Sequence, residues 1–317
     1  MKKIFKLFQF FKLFQFYNLY SLVIIYRYFI FMIYKKINPK GVLLTNVFNY
    51  KMLIPLQYDG IGRRLYVYGS RELDHKWMID KEISPGNIIL DLGANIGYYS
   101  IMEAKKMKGL GKIYAVEPDP RNIEFLKKNI ELNGITNIFD FQQGAISNKE
   151  GKAKFTLSSK TNLSSLGRKE LNSHSVDVQL FDFGTYLEDK DRIDLVRMDI
   201  EGHELEVFDS LTKYFEKYPN NMPKKIIFET HLAVYREKSA YARKVFNKIF
   251  EIGYVIKYLS SPNESTTTLH KIGYSPFKTI NDFPLVRGIY NNIESQHAIN
   301  CMVDSGGIRT VLLELKN

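Results

Sequence analysis

Short apolar runs alternate with helical patterns along the middle of the chain. The strand-like runs are residues 87–92, 112–117, 137–142, 192–199, 225–231 and 254–259. Helical patterns occupy residues 96–108, 120–133 and 240–252, and the second begins at Pro120 and stops at Gly134. Because short helical crossovers join parallel strands, this order predicts an α/β fold with a mostly parallel, doubly wound sheet.

Four segments fall outside this rhythm. Residues 152–157 and 176–181 alternate like strands around a polar loop and predict an inserted β-hairpin. Residues 41–84 predict a lead-in hairpin followed by a helix, and residues 310–314 predict a last, antiparallel strand. We therefore divide the chain into residues 1–40, 41–84, a domain at 85–260, and an extension at 261–317 that contains a turn-rich candidate substrate loop.

The N-terminal segment is rich in Phe, Leu, Ile and Tyr and repeats Phe-Lys-Leu-Phe-Gln-Phe at 5–10 and 11–16. Its polar residues recur every third position, so in a helix they drift around the axis and leave no single amphipathic face. Residues 19–34 are more apolar but short of about 20 residues, and Arg27 would cost about 2–3 kcal/mol to insert. Two interpretations stay open: a hydrophobic helical extension at a membrane surface, through residues 1–36, or a helix pair packed on protein.

Charge and cysteine content limit the class of protein. Before Asp59 there are nine Lys and Arg residues and no acidic residue, so the remainder carries only 11 − 9 = +2 of the net charge of +11. A near-neutral domain argues against a nucleic-acid channel across its face. The single cysteine, Cys301, excludes an internal disulfide and a thiolate metal cluster. We expect a cytoplasmic protein, at the inner face of the membrane if the N-terminal segment binds lipid; the oligomeric state is open.

A glycine loop opens the domain. Asp91-Leu-Gly-Ala-Asn-Ile-Gly97 joins the first strand to its helix, and Glu117 ends the second strand. Glycines let a backbone turn sharply and approach a ligand, and a glutamate in this place can accept both hydroxyls of a ribose. The loop lacks the third glycine of a dinucleotide site, so it favours S-adenosylmethionine. The candidate cofactor-binding residues are Asp91, Gly93, Asn95, Gly97, Glu117, Pro118, Asp119, Gly144, Ala145 and Asp199.

These motifs, together with residues 129–134, 144–151 and above all Asp194-Leu-Val-Arg-Met-Asp-Ile-Glu-Gly-His-Glu204, resemble the FkbM family of S-adenosylmethionine-dependent methyltransferases. The resemblance covers about residues 85–260. It implies a Rossmann-like class I methyltransferase fold and a hydroxyl acceptor.

Five polar residues follow the fourth and fifth strands, whose carboxyl ends share one edge of the sheet. The candidate catalytic residues are Asp199, Glu201, His203, Glu229 and His231. Asp199 would contact the cofactor or the acceptor, or else cap the next helix, and Glu201 would be catalytic or simply acidic at a helix start. His203 and His231 are candidate general bases, or ordinary hydrogen-bonded histidines. Asp199, Glu229 and His231 could bind Mg²⁺ or Mn²⁺, although their spacing is not diagnostic.

The resulting hypothesis is methyl transfer to a hydroxyl of a sugar in a glycan or glycolipid. An RNA methyltransferase is the first alternative, because residues 129–134 also resemble tRNA-modifying enzymes; the near-neutral domain and the lack of an Asn-Pro-Pro-Tyr motif count against it. An NAD-dependent oxidoreductase and a non-catalytic cofactor-binding module are further alternatives.

Overall fold

The computed structural model describes residues 20–57, 60–157, 165–166 and 174–316. The chain forms two compact units, residues 1–71 and residues 72–317, which we call the N-terminal unit and the sheet unit. Within the described residues, no helix combines the length and the apolar character that crossing a membrane requires. The duplicated hexapeptide lies outside the described residues, so its structure stays a prediction.

The N-terminal unit contains helix α1 (Tyr20–Ile37), hairpin strands β1 (Val42–Val47) and β2 (Tyr50–Pro55), and helix α2 (Ile61–Tyr68). The two strands are antiparallel. One face of α1 is anchored by Ile24 and Phe31, which are buried. Arg27 lies on the same side, where it donates a hydrogen bond to Thr45 Oγ1 at 2.6 Å and lies over the Tyr66 ring.

A nine-stranded sheet is the framework of the sheet unit. In spatial order its strands are β13 (Lys278–Asp282), β14 (Leu285–Tyr290), β12 (Tyr254–Ser260), β15 (Thr310–Leu315), β11 (Lys225–Glu229), β10 (Leu195–Met198), β3 (Ile88–Leu92), β4 (Lys112–Glu117) and β5 (Phe139–Gln143). The five strands from β11 to β5 are parallel. The predicted α/β class is therefore confirmed, and the sheet is mixed, with four parallel pairings from β11 to β5 and four antiparallel pairings among β11, β15, β12, β14 and β13.

The helices occupy the connections between these strands. Those of the described part of the sheet unit are α3 (Leu73–Glu82), α4 (Tyr98–Lys106), α5 (Pro120–Leu132), α6 (Phe183–Glu188), α7 (Glu204–Lys217), α8 (Leu232–Glu237), α9 (Ser239–Glu251) and α10 (Ser295–Asn300), with 3-10 turns at Thr136–Ile138, Pro219–Asn221 and Leu269–Ile272 and a π-helical turn at Cys301–Ser305. Their apolar faces pack on the sheet; for example, the rings of Phe208 in α7 and Phe228 in β11 are 5.0 Å apart.

The predicted hairpin is present as part of a second, smaller sheet. Strands β7 (Gly151–Leu157) and β9 (His174–Asp182) pair antiparallel, and β9 also pairs in parallel with β6 (Ala145–Ser147). A short strand, β8 (Ser165–Leu166), completes this sheet. The rest of the loop between β7 and β9 lies outside the described residues.

The C-terminal part of the chain belongs to the main sheet. Strand β15 is antiparallel, as predicted, but it is inserted between β11 and β12 and pairs with both. A sheet domain that ends at residue 260 would lack this strand. The lead-in segment 41–84 is also divided, because its hairpin belongs to the N-terminal unit and its helix α3 to the sheet unit. The role of residues 261–284 as a substrate loop stays a prediction.

Candidate active site

The glycine loop between β3 and α4 lies against the carboxyl end of β10. Gly93 has a φ of +78°, and a Cβ at this position would lie 2.2 Å from the backbone oxygen of Asp199. No larger side chain fits there without moving one of the two segments. The amides of Gly93 and Ala94 both donate to the Val116 carbonyl, at 2.9 and 3.1 Å, so the loop is also tied to β4.

Glu117 ends β4 beside this loop. Its two carboxylate oxygens accept hydrogen bonds from the backbone amides of Asn95 at 2.8 Å and Asp119 at 2.9 Å, and from Asn122 Nδ2 at 3.2 Å. The side chain is buried, and burial raises its pKa to about 7 against the backbone donors that lower it. Glu117 is therefore held rigidly, and these three hydrogen bonds leave about one of the four lone-pair positions of its carboxylate for a ligand.

The other predicted cofactor residues near Glu117 differ in what they do. Asp119 is the N-cap of α5, where it accepts the Arg121 amide at 2.9 Å and pairs with the Arg121 side chain. Its carboxylate is thus already used in the local structure. The amide of Gly144 donates to the Glu117 carbonyl at 3.2 Å, which places Gly144 and Ala145 beside the end of β4. Gly97 begins α4 as its N-cap, and Pro118 precedes the Asp119 cap.

Arg197, in the centre of β10, links the end of β3 and the glycine loop to Asp199 at the end of β10. Sequence inspection did not identify Arg197 as a site residue. It donates to Asp91 Oδ1 at 3.2 Å, to the Gly93 carbonyl at 3.0 Å and to Asp199 Oδ2 at 3.2 Å. Its guanidinium carbon lies 4.1 Å from the centre of the Tyr99 ring. Burial alone would lower the pKa of Arg197, but Asp91 and Asp199 outweigh it, so the net shift is upward and the side chain stays charged.

A second buried carboxyl lies behind this linkage. Glu103 in α4 is fully buried, and neither of its carboxylate oxygens has a hydrogen-bond partner among the residues that the structure describes. Burial and the negative charge of Asp91 raise its pKa well above the ordinary value, against the opposing effect of Arg197. Burial thus disfavours the charged form of Glu103, and Arg197 forms its ion pairs with Asp91 and Asp199.

Past the ends of β10 and β11, three predicted residues converge. One ligand atom each from Asp199, Glu201 and His231 lies within 4.8 Å of the others, so this group, with Glu201 in place of the predicted Glu229, could hold a divalent cation. Glu201 has a φ of +56°, in the left-handed region, and one of its oxygens lies 3.6 Å from His231 Nε2. Burial, followed by the negative charge of Asp199, raises the pKa of Glu201 to about 8.

His231 is held from behind by Glu204. The two side chains approach to 3.2 Å, and Glu204 also accepts hydrogen bonds from the Ile200 amide at 3.0 Å and the Tyr235 hydroxyl at 2.9 Å. Burial would lower the pKa of His231, but the carboxylates of Glu204, Glu229 and Asp199 outweigh it and raise the pKa to about 10. Near neutral pH this imidazole is a cation and carries no free lone pair for a proton.

Glu229, at the end of β11, forms an ion pair at 2.9 Å with Arg309, which immediately precedes β15. Arg309 also pairs with Glu72, the N-cap residue of α3, and Glu72 accepts a hydrogen bond from the Tyr99 hydroxyl. Burial raises the pKa of Glu229 to about 7, although Arg309 opposes the shift. Sequence inspection missed Arg309 and Glu72, since both lie far along the chain from their partners.

His203 contacts Ser147 and Glu206 and not the cluster of Asp199, Glu201 and His231. Its Nε2 lies 3.0 Å from Ser147 Oγ in β6, and its Nδ1 lies 3.5 Å from Glu206. Burial lowers its pKa. His203 is also the N-cap residue of α7, so the alternative in which Asp199 caps that helix is wrong. The remaining predicted catalytic residues are gathered at the sheet edge, whereas the contacts of His203 are with β6 and the first turn of α7.

A family model, described as the methyltransferase FkbM domain, matches residues 91–274, more than half of the 317-residue chain. The chain belongs to the FkbM methyltransferase family. The FkbM match contains the glycine loop, Glu117 and the cluster at the ends of β10 and β11. It does not contain Arg309 or β15, which complete the site in the structure.

Curated relatives match the FkbM chain over short segments. An uncharacterised protein of Methanocaldococcus jannaschii is 37% identical over 60 residues, which is 19% of this chain and 22% of that protein. A ribosomal protein L11 methyltransferase of Caldanaerobacter subterraneus is 32% identical over 71 residues, 22% of each chain. The matches thus span about a fifth of the length of these relatives.

Two solved structures are similar to this chain at low sequence identity. The FkbM methyltransferase of Methylobacillus flagellatus has 16% identity and a TM-score of 0.39, over 56% of this chain and 40% of that chain. M. jannaschii TYW2, solved in complex with AdoMet, has 13% identity and a TM-score of 0.41, over 87% of this chain and 88% of that chain.

Proposed function

We propose that the protein transfers the methyl group of S-adenosylmethionine to a hydroxyl oxygen of a sugar in a glycan or glycolipid. The observation that carries this proposal is the arrangement of one sheet edge. A glycine loop with Glu117 lies on one side, a carboxylate and histidine cluster lies on the other, and Arg197 joins Asp91 to Asp199 between them.

The side of this edge that contains the glycine loop and Glu117 suits the cofactor. Glu117 would accept a ribose hydroxyl at its Oε2 atom, which has one protein donor, and the loop from Asp91 to Gly97 would lie along the methionine end. Gly144 and Ala145, beside the end of β4, would border the adenine. S-adenosylmethionine carries a sulfonium cation, which the Asp91 and Asp199 carboxylates would attract.

The side that contains Asp199, Glu201 and His231 suits the removal of a proton from a hydroxyl. We assign the general base to Glu201, whose pKa of about 8 is close to the operating pH, where a base is most efficient. As the hydroxyl oxygen forms a bond to the methyl carbon, the carbon to sulfur bond breaks, S-adenosylhomocysteine leaves, and the hydroxyl proton moves to Glu201. The cationic His231 beside Glu201 would stabilise its carboxylate.

The other candidate catalytic residues have supporting roles in this scheme. Asp199 would orient the cofactor or the acceptor, since Arg197 holds one of its oxygens. Glu229 is engaged by Arg309 and would keep the β11 edge in place. His203, which contacts Ser147, is given no catalytic role.

The charge around the cluster favours a sugar over a nucleic acid. Glu72, Asp199, Glu201, Glu204 and Glu229 contribute five carboxyl groups near three cationic side chains, Arg197, Arg309 and His231. Phosphate groups of RNA would meet carboxylates rather than the Lys and Arg residues that bind them. The proposal also includes contact of residues 1–36 with a membrane surface, at its cytoplasmic face, which would bring a lipid-linked acceptor to the enzyme.

Transfer of label from methyl-labelled S-adenosylmethionine into a cell extract tests this function. We expect label in the lipid or polysaccharide fraction with the native protein, and a loss of at least about 100-fold with Asp199→Ala, because the variant loses a group at the reacting centre. Label in RNA would favour an RNA methyltransferase. Cofactor binding in calorimetry without label in any fraction would favour a non-catalytic module, and binding of NAD would favour an oxidoreductase.

Glu117→Gln should make the protein more stable relative to the native protein as pH rises, and it should weaken the binding of S-adenosylmethionine. The pKa of Glu117 is about 7 in the folded protein against 4.5 for the free side chain, so the folded state binds its proton more tightly. The native protein therefore loses up to about 3 kcal/mol as pH rises through this window, and the variant does not. In urea unfolding without ligand, Glu117→Gln should gain stability relative to the native protein between pH 5 and pH 7.5, while its affinity for S-adenosylmethionine falls about tenfold.

Glu124→Gln is the matched control, because Glu124 is an exposed glutamate of the next helix, α5. Its stability relative to the native protein should stay constant over the same pH range. A constant difference for Glu117→Gln as well would contradict the assignment of a raised pKa to Glu117.

A further inference from the structure

The outward face of α1 is apolar over its whole length. Its large side chains are between 40% and 77% exposed; they are Leu22, Val23, Tyr26, Phe29, Met32, Ile33, Tyr34 and Ile37. Positions 22, 26, 29, 33 and 37 follow the spacing of one helix face and span about 22 Å. We call these eight side chains the outer stripe.

Arg27, the one charged residue of α1 before its last turn, is turned away from the outer stripe. Arg27 donates to Thr45 Oγ1 and lies over the Tyr66 ring, on the side where Ile24 and Phe31 are buried. An arginine on the outer stripe would resist entry into lipid. With Arg27 engaged inside the N-terminal unit, the outer stripe presents only apolar and aromatic side chains.

Positive charge borders the outer stripe at one end. Lys35 and Lys36 lie in the last turn of α1, where they line a shallow groove of about 400 Å³ with Phe29, Met32 and Ile33. Lys40 follows, and the chain contains no acidic residue before Asp59. A surface that combines apolar side chains with cations and no anions is complementary to a bilayer of anionic lipids.

We propose that the outer stripe docks in the plane of an anionic lipid bilayer, with the lysines at the phosphate groups. Continuous exposed apolar surface of this kind marks an interaction site on a soluble unit. The aromatic rings of Tyr26, Phe29 and Tyr34 suit the boundary between headgroups and acyl chains. This inference deepens the proposed membrane contact and needs no methyl transfer, because lipid binding is measured without an acceptor.

Sedimentation of the full-length protein with vesicles tests the docking. We expect binding to vesicles that contain phosphatidylglycerol at least about tenfold tighter than to pure phosphatidylcholine, with a loss of affinity at high salt. Phe29→Ser and Ile33→Ser together should weaken binding by about tenfold or more, and Lys35→Glu with Lys36→Glu should abolish the preference for anionic lipid.

Leu110→Ser is the matched control, since Leu110 is an exposed leucine of the sheet unit. Circular dichroism would confirm that every variant is folded, and binding of S-adenosylmethionine would show separately whether the sheet unit is intact. Absence of vesicle binding, or an equal effect of Leu110→Ser and the Phe29/Ile33 change, would overturn the proposal. A change of oligomeric state with Phe29→Ser, without any vesicle binding, would overturn it in favour of a second copy of the chain on the outer stripe.

Discussion

Replacing Arg197 by methionine should lower the free energy of unfolding by about 3–5 kcal/mol, a large part of the stability of an ordinary domain. The variant keeps an unbranched side chain about as long as the aliphatic part of Arg197 but removes the cation that serves both Asp91 and Asp199. Asp91 is fully buried, so its charge would lose its partner in a region without water to replace it. Urea unfolding of the full-length protein at pH 7.5 measures the change.

Arg243→Met provides the comparison, because Arg243 also pairs with a carboxylate, Asp304, but in a partly exposed position. That substitution should cost less than about 1 kcal/mol. A double variant, Asp91→Asn with Arg197→Met, should be less destabilised than the sum of the two single changes, because the unpaired carboxylate is gone. Equal stability of Arg197→Met and Arg243→Met would contradict a central role for Arg197.

Glu201→Gln should lower kcat by about 10²–10⁴-fold and leave the affinity for S-adenosylmethionine nearly unchanged. The substitution keeps the size of the side chain and removes its ability to take a proton. Because the base must be deprotonated, kcat of the native protein should rise with pH, reach half its maximum near pH 8 and level off at higher pH, following the pKa of Glu201 of about 8. The variant should lose this rise. Initial rates between pH 6 and pH 9.5 measure both effects.

The histidines and the candidate cation site supply the controls for Glu201. His203→Asn should change kcat by only a few-fold, since His203 contacts Ser147 and Glu206. If EDTA abolishes the activity and Mg²⁺ restores it, Asp199, Glu201 and His231 hold a cation and Glu201 acts as its ligand. Retention of full activity and of the pH profile in Glu201→Gln would refute the general-base assignment.

The sequence was sufficient to predict the position of a residue where that position depends only on the order of strands and helices along the chain. Gly93 and Glu117 lie where the strand and helix pattern places them, because a glycine turn and the end of the next strand are adjacent in any parallel sheet of this order. The clustering of Asp199 and Glu201 with His231 was likewise predictable, since β10 and β11 are neighbours. The roles of these residues remain predictions.

The sequence was insufficient where a role depends on distant partners. Arg197 occurs in a run that otherwise looks like a buried strand, and its importance appears only when Asp91 is paired beside it. Arg309 contacts Glu229 because β15 inserts next to β11, and no local pattern reveals that insertion. The outer stripe was hidden for another reason: the period of three polar positions suggested no face, whereas in the structure Arg27 turns inward.

The position of β15 also constrains the order in which the fold can form during synthesis. Strands β3, β4 and β5 follow one another closely, so the half of the sheet that contains Glu117 can associate as the chain emerges. Strand β12 is made much earlier than β15, yet it joins β11 only through β15. Until residues 310–315 have been translated, the edge of β11 stays open, and Glu229 has no Arg309 beside it. The half of the sheet that contains Glu117 can therefore form before Arg309 reaches Glu229.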